Sequence, residues 1–160
     1  MIFVVLGTHE LPFTRLLEAI DEQIELGNIK EEVIVQVGHT RYRSDNMKFI
    51  KFTTYEEMER LYREARFIIT HGGTGSITMG VKMGKKVIAV PRLLKYGEHN
   101  DDHQLEIVKQ FYELGHILYW DEHLDLADVL KKVNDFQPRP FISSRTRIIK
   151  LIEDFIENLG

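Results

Sequence analysis

The sequence contains no cysteine, which excludes disulfide staples, thiolate metal sites and a cysteine nucleophile. No stretch approaches the roughly 18 consecutive apolar residues that a membrane span requires. The start of the chain lacks the basic region and length of a signal peptide, so the expectation is a soluble, cytoplasmic protein. Excess positive charge is also missing. The 160 residues carry 21 Lys+Arg against 25 Asp+Glu, a net charge of −4. Acids and bases are interspersed, so there is no general field for nucleic acid, and any anion must be held by local geometry. Several motifs are absent as well. There is no GxGxxG, no phosphate loop ending in Lys-Ser/Thr, no HExxH, no G-x-S-x-G elbow and no spaced Asp-x-Asp. These gaps argue against a dinucleotide enzyme, a P-loop NTPase, a zinc protease and a serine hydrolase.

What remains is a globular composition, 43% hydrophobic and 29% charged, without repeats or low-complexity tracts and long enough for one well-filled domain. Residues 2–6 form an apolar, β-branched run of the kind buried on both faces of a sheet. Residues 33–37, 48–52, 67–70, 86–90 and 116–120 read as further strands. Between them lie helices predicted at 12–26, with Pro12 in the first turn, at 55–65 after Thr53 and Thr54, and at 76–83, 101–114 and 124–133. Strands alternating with helices predict an α/β fold, a Rossmann-like parallel sheet with helices on both faces. Residues 1–136 would form this domain. Residues 137–160 would be a linker, Gln137-Pro138-Arg139-Pro140, and a terminal helix at 144–159. The apolar stripe of that helix (Ile148, Leu151, Ile152, Phe155, Ile156, Leu159) packs either on the domain or on a partner.

Ligands of open α/β sheets bind beyond the carboxyl ends of the strands. That edge should carry His71-Gly72-Gly73-Thr74-Gly75-Ser76, where glycines allow close backbone approach and the next helix opens with unpaired N–H groups. Such an N-terminus favours a phosphate, and Thr74 and Ser76 add hydroxyls. The bland alternative is a tight turn that simply needs small residues. Of the seven histidines, His9, His39, His71 and His99 fall at or just past strand ends. Arg92, Lys95, His71 and His103 are available to neutralise a diphosphate. Glu98, Asp101, Asp102 and Gln104 are suited to sugar or ribose hydroxyls, or else cap a helix and face solvent. The adjacent Asp101 and Asp102 do not imply a metal, and no cofactor is called for.

Taken together, Gly7-Thr8-His9, the turn from Thr70 to Ser76, and Pro91-Arg92 followed by Gly97-Glu98-His99 and Asp102-His103-Gln104 resemble the C-terminal half of family 28-type glycosyltransferases. The resemblance covers about residues 1–120 and is strongest to the split form. That form comprises small subunits of bacterial capsular and exopolysaccharide glycosyltransferases. It is also similar to the catalytic subunit of the eukaryotic two-subunit enzyme that adds the second N-acetylglucosamine to a dolichol-linked sugar. The resemblance implies half of a GT-B enzyme. A UDP-sugar would sit here, and a membrane-anchored partner subunit would bring a lipid-linked saccharide to the inner face of the membrane.

Residue by residue, the resemblance implies that Gly72, Gly73, Thr74, Gly75 and Ser76 hold the diphosphate, faced by Gly7 and Thr8; His71 is read beside them as a further donor, and Gly38 as a binding residue on the same edge. Phe52 and Thr53 match the uracil contact, and Asp102, His103 and Gln104 the sugar end, with Arg92 as a counter-charge. Many relatives carry a ribose-binding glutamate where this chain has Met79, and Glu98 would substitute for it. His9 would be the general base, unless the base lies on the partner. Other roles left open are a non-catalytic activating subunit that binds nucleotide-sugar, and an epimerase-like relative.

Overall fold

The computed structural model describes residues 1–141 and, in the final stretch, residues 152, 153 and 155–157. Six strands, β1 (Ile2–Val5), β2 (Val33–Gln36), β3 (Lys48–Ile50), β4 (Phe67–His71), β5 (Val87–Val90) and β6 (Leu118–Tyr119), form one sheet in the order β3-β2-β1-β4-β5-β6. Every pairing is parallel. The apolar runs become strands because the sheet is covered on both sides. Ile2 and Val4 of β1 enter one core, and Phe3 and Val5 enter the other.

Helices α1 (Thr14–Glu25) and α5 (Leu126–Lys132) cover the first face through Leu16, Leu17, Ile20, Leu126 and Val129. Helices α2 (Tyr55–Glu64), α3 (Thr74–Lys82) and α4 (His103–Glu113) cover the second through Leu61, Tyr62, Ile77, Val81 and Val108. The strand order reverses between β1 and β4, which opens a crevice beyond their carboxyl ends.

Element ends differ from the predicted ones for identifiable reasons. The first helix begins at Thr14 with Phe13 at the cap, because the Phe13 N–H is drawn to Thr40 Oγ1 at 3.0 Å, and Pro12 lies outside it. Helix α3 begins at Thr74, two residues earlier than the hydroxyl pattern suggests, so the glycine turn is already its first turn. A 3-10 turn at Leu94–Tyr96, closed by Gly97 at φ 68°, interrupts the loop after β5. Thr54 caps α2 as expected, accepting from the Glu57 N–H.

The predicted linker is stitched to the domain. The Arg139 N–H donates to Gly115 O at 2.9 Å, and Phe141 packs on Phe111 and His116. Of the terminal stripe, Ile148, Leu151 and Leu159 lie outside the described residues, whereas Ile152, Phe155 and Ile156 are helical and exposed. Among the described residues, no helix is long and apolar enough to cross a membrane.

Gly80 brings α3 close to the sheet: a Cβ there would lie 2.7 Å from Val87 Cγ2 and 3.4 Å from Tyr62 Cε1. Overpacking should cost about 1–3 kcal/mol against roughly 1 kcal/mol gained in helix propensity, so Gly80→Ala is expected to leave the protein no more stable and up to about 2 kcal/mol less stable. Urea denaturation measures it, and a net stabilisation would contradict this account of the packing.

Candidate functional site

The crevice is assembled from backbone upward. After β1 the chain turns at Gly7, φ 81°, whose N–H donates to Gln36 Oε1 at 2.9 Å. Gln36 Nε2 returns bonds to the carbonyls of Gly7 and Lys51. Gln36 thus ties the ends of β1, β2 and β3 together. It was not among the predicted site residues, although a buried glutamine ending an otherwise apolar strand was a visible signal. Gly38, φ 56°, approaches so closely that a Cβ would sit 2.4 Å from Gly7 O.

After β4, His71 is buried and its ring is held on three sides. Nδ1 accepts from the Gly73 N–H at 3.2 Å and faces Gln104 Nε2 at 3.2 Å, while Nε2 lies 3.0 Å from Ser76 Oγ. With Nδ1 surrounded by donors, the neutral ring carries its proton on Nε2. Burial first, and then the Arg92 charge, push its pKa down to about 3. His71 is therefore a neutral donor, its Nε2–H directed at Ser76 Oγ. Gly7 and Gly73 are glycines largely because of this ring: a Cβ on either would fall 2.5 Å or 2.3 Å from its atoms. Gly72 is similarly closed in, by Gln104 Cβ at 2.8 Å. Gly75 differs, since nothing lies within 4 Å of its Cβ position. Among the described residues, the N–H groups of Thr74, Gly75 and Ser76 have no protein acceptor. Three donors at the positive end of α3 thus open onto the crevice.

Gly7, Thr8, Phe52, Thr53, His71, Gly73, Gly75 and Ser76 line one cleft of about 270 Å³, completed by Val5, Gln36 and Met58. Thr74 is exposed at its rim and Gly72 is buried behind it. Phe52 is half exposed, with the edge of His39 against it at 5.0 Å. Gly38 lines a separate groove under the β2–β3 loop. Asp102 borders another cavity of about 300 Å³ with Arg15, Tyr119 and Trp120, and the His103 side chain is 73% exposed. Among the described residues, no group of three or more His, Asp or Glu side chains is placed to hold a metal.

Four predicted contacts take different roles. Arg92 is fully buried: Nη1 donates to Leu11 O and Glu98 O, and Nη2 to Leu6 O. Burial lowers its pKa to about 10, partly offset by Glu98, so it stays charged while facing carbonyls and not a ligand. Glu98 is buried too. It accepts from Arg15 Nε and Nη2 at 2.9 and 3.0 Å and from the Leu93 N–H at 3.1 Å, so it has no oxygen turned to a ribose. Gln104 Oε1 accepts from the N–H groups of Gly72 and Arg92, which makes it a brace between β4 and β5. His9 Nδ1 accepts from the Leu11 N–H at 3.1 Å, so the neutral ring presents an Nε2–H donor in place of the lone pair a base needs. Desolvation, then His99 and Arg92, lower its pKa and favour that neutral form.

Two outcomes follow. Arg92→Met strips three carbonyls of their donor and should cost about 3–5 kcal/mol in urea denaturation; a loss below about 1 kcal/mol, the worth of a surface pair, would contradict the assigned role. For His71 the folded pKa lies below the unfolded one, so the unfolded chain binds the proton first as pH falls. Its contribution is complete above about pH 6.5 and is lost toward pH 3, at up to about 1.4 kcal/mol per pH unit. The stability of a His71→Gln variant should fall less steeply than wild type below about pH 6.5.

The comparisons with known proteins agree with this geometry. The glycosyltransferase family 28 C-terminal domain matches residues 1–159. The UDP-N-acetylglucosamine transferase subunit ALG13 of Candida glabrata is 28% identical over 140 residues, which is 87% of this chain and 60% of that protein. The chain thus spans 60% of the length of this curated relative. The NMR solution structure of ALG13 superposes with a TM-score of 0.56 at 20% identity, covering 94% of this chain and 93% of that one. The crystal structure of Acinetobacter baumannii MurG gives 0.55 at 18% identity, over 82% of this chain and 40% of MurG. The architecture is that of the C-terminal half of GT-B glycosyltransferases. The chain belongs to the glycosyltransferase family 28 C-terminal domain family.

Proposed function

We propose that the chain is the donor-binding subunit of a two-component inverting glycosyltransferase. It moves a sugar from a UDP-sugar to a lipid-linked saccharide, in capsule or exopolysaccharide biosynthesis. The observation that carries this reading is the trio of N–H groups at Thr74, Gly75 and Ser76, unpaired among the described residues, at the start of α3 beside an open space at Gly75. These groups face a leaving diphosphate with preorganised donors, a contribution often worth several kcal/mol in the transition state. His71 supports them by donating to Ser76 Oγ, which leaves the serine O–H free to point at an oxyanion.

In this reading, Gly7 and Thr8 close the phosphate site from the first loop, and Phe52 and Thr53 hold the uracil. His9 donates from Nε2, and Asp102 and His103 border the sugar. Gly72, Gln104, Arg92, Glu98 and Gly38 shape these groups from behind. A membrane-anchored partner subunit supplies the acceptor and the opposing wall, and so recruits this chain to the cytoplasmic face of the membrane. Residues 1–136 form the nucleotide-sugar-binding domain, and 137–160 extend from it toward the partner. The relative's name, a UDP-N-acetylglucosamine transferase subunit, supports both the donor class and the subunit character.

The decisive variant is Gly75→Val. Its side chain projects into empty space, so folding should be unchanged in a thermal melt. In the proposed complex the same methyl groups occupy the diphosphate position. UDP affinity by calorimetry should fall at least about tenfold, roughly 1.4 kcal/mol. Undiminished affinity would remove the phosphate site from α3.

A further inference from the structure

The cavity beyond β5 and β6 takes no part in the cleft beside α3. We propose that it binds one neutral sugar ring. The preference for a sugar comes from the cavity's own lining. Whether the ring is the donor's or the acceptor's rests on the glycosyl-transfer reading above.

Local backbone contacts build the cavity. The Trp120 N–H donates to Ala89 O at 3.1 Å, which carries the pairing of β5 and β6 one residue past the strand end. Asp121 Oδ1 then accepts from the His123 N–H at 2.9 Å as the chain turns. Across from it, Asp102 Oδ1 accepts from the Leu94 N–H at 3.0 Å and fixes the start of α4 against the loop after β5. The enclosed volume is about 300 Å³, at the small end for ligand sites. Pro91, Leu93, Leu105 and Trp120 give it an apolar wall.

Its polar groups fall into two sets. Arg15 and Lys95 are already paired, Arg15 with Glu98 and Pro91 O, and Lys95 with Glu122. Left without a partner among the described residues are the Lys109 ammonium, the Tyr119 hydroxyl and the second carboxylate oxygens of Asp102 and Asp121. Burial, then the Asp121 and Glu122 charges, push the Tyr119 pKa up to about 12, so its hydroxyl keeps its proton and can donate. Two donors and two acceptors beside an apolar wall match a sugar ring, whose hydroxyls both donate and accept and whose C–H faces are apolar. The ionised groups make the stronger of these bonds. Two unpaired carboxylates against one ammonium disfavour an anion, which excludes a second phosphate and a uronate.

The cavity lies on the ligand edge. It sits past β5 and β6 and the cleft past β1 and β4, so roughly 10 Å, two strand spacings, separates them. The start of α4 stands between the two. Gln104 Nε2 faces the His71 ring of the cleft at 3.2 Å, while Asp102 and Leu105 on either side of it line the cavity. A sugar carried on the diphosphate, or the acceptor sugar that attacks it, spans such a distance.

Trp120 is the chain's one tryptophan, so its fluorescence reports on the cavity. In the purified chain, with UDP affinity followed by calorimetry, UDP alone should leave the emission unchanged. A donor ring predicts a shift with UDP-N-acetylglucosamine, UDP-glucose or UDP-galactose. An acceptor ring predicts a shift with millimolar N,N′-diacetylchitobiose or cellobiose in the presence of UDP. Asp121→Asn keeps an oxygen for the His123 N–H but removes the carboxylate. The responding sugar should then bind at least about tenfold more weakly, with UDP affinity and the thermal melt unchanged. Emission unmoved by every sugar, an equal shift with UDP alone, wild-type sugar affinity in Asp121→Asn, or UDP-glucuronate bound more tightly than the neutral donors would each overturn the proposal. If wild type binds UDP and no sugar moves Trp120, the sugar subsite alone fails. If UDP does not bind, the donor-site reading fails, and a shift with free disaccharide still supports the cavity.

Discussion

A fully buried guanidinium must find oxygen partners for its N–H groups or face a desolvation cost of several kcal/mol. Arg92 Nη1 and Nη2 find them in the carbonyls of Leu6, Leu11 and Glu98, Nε has no hydrogen-bond partner among the described residues, and the guanidinium lies over the Phe13 ring at 4.9 Å. Those carbonyls belong to the loop after β1 and the loop after β5, which flank β4 in the sheet. One side chain therefore fixes the separation of the two loops that carry His9 and His99. Glu98 extends the arrangement outward: its carboxylate holds Arg15 of α1, whose guanidinium sits 4.9 Å from the Tyr96 ring. The net effect is a charged strap running beneath the ligand edge, while the cleft beside α3 is lined by no charged side chain among the described residues.

That lack of charge shapes what the crevice can do. With His71 held neutral and Arg92 facing inward, the anion-binding capacity rests on the end of α3, about half a positive charge, and on N–H and O–H dipoles. Dipoles that are already oriented stabilise charge that develops during a reaction without first being rearranged, which suits a leaving group better than tight ground-state capture. The glycines of the turn divide accordingly. Gly7 and Gly73 make room for the His71 ring and Gly72 for Gln104, whereas Gly75 alone among these faces open space. Within one hexapeptide, close packing accounts for Gly72 and Gly73 but not for Gly75.

This mixture explains what could be read in the sequence and what could not. The sheet was legible because strands buried on both faces leave unbroken apolar runs, such as Ile2-Phe3-Val4-Val5, punctuated by glycine. The position of the crevice followed from the order of the elements. The direction of loop side chains did not follow. Glu98 sits among polar residues whose composition suits solvent or a ligand, and Arg92 is a lone charge at a strand end; only the tertiary approach of the first loop and of α1 turns them inward. Histidine tautomers were equally out of reach, because the Leu11 N–H that defines His9 and the Gly73 N–H that defines His71 are local contacts with no signature in spacing. Gln36 is the exception. A glutamine closing an apolar strand had to be satisfied by something, and the Gly7 backbone was the nearest polar edge.

The division of labour proposed for the two subunits has a physical logic in this geometry. A UDP-sugar held only by the end of α3 and the first loop leaves its anomeric carbon on the open side of the sheet, where water is as available as an acceptor. Any general base able to activate an acceptor hydroxyl would activate that water as well. Confining reaction to the acceptor requires that the opposing wall arrive together with it, because only closure excludes water and fixes the attacking oxygen in line. Placing the wall and the acceptor site on a separate membrane-bound subunit achieves both at once, so a crevice that stays open in this chain costs little donor to hydrolysis until the partner docks.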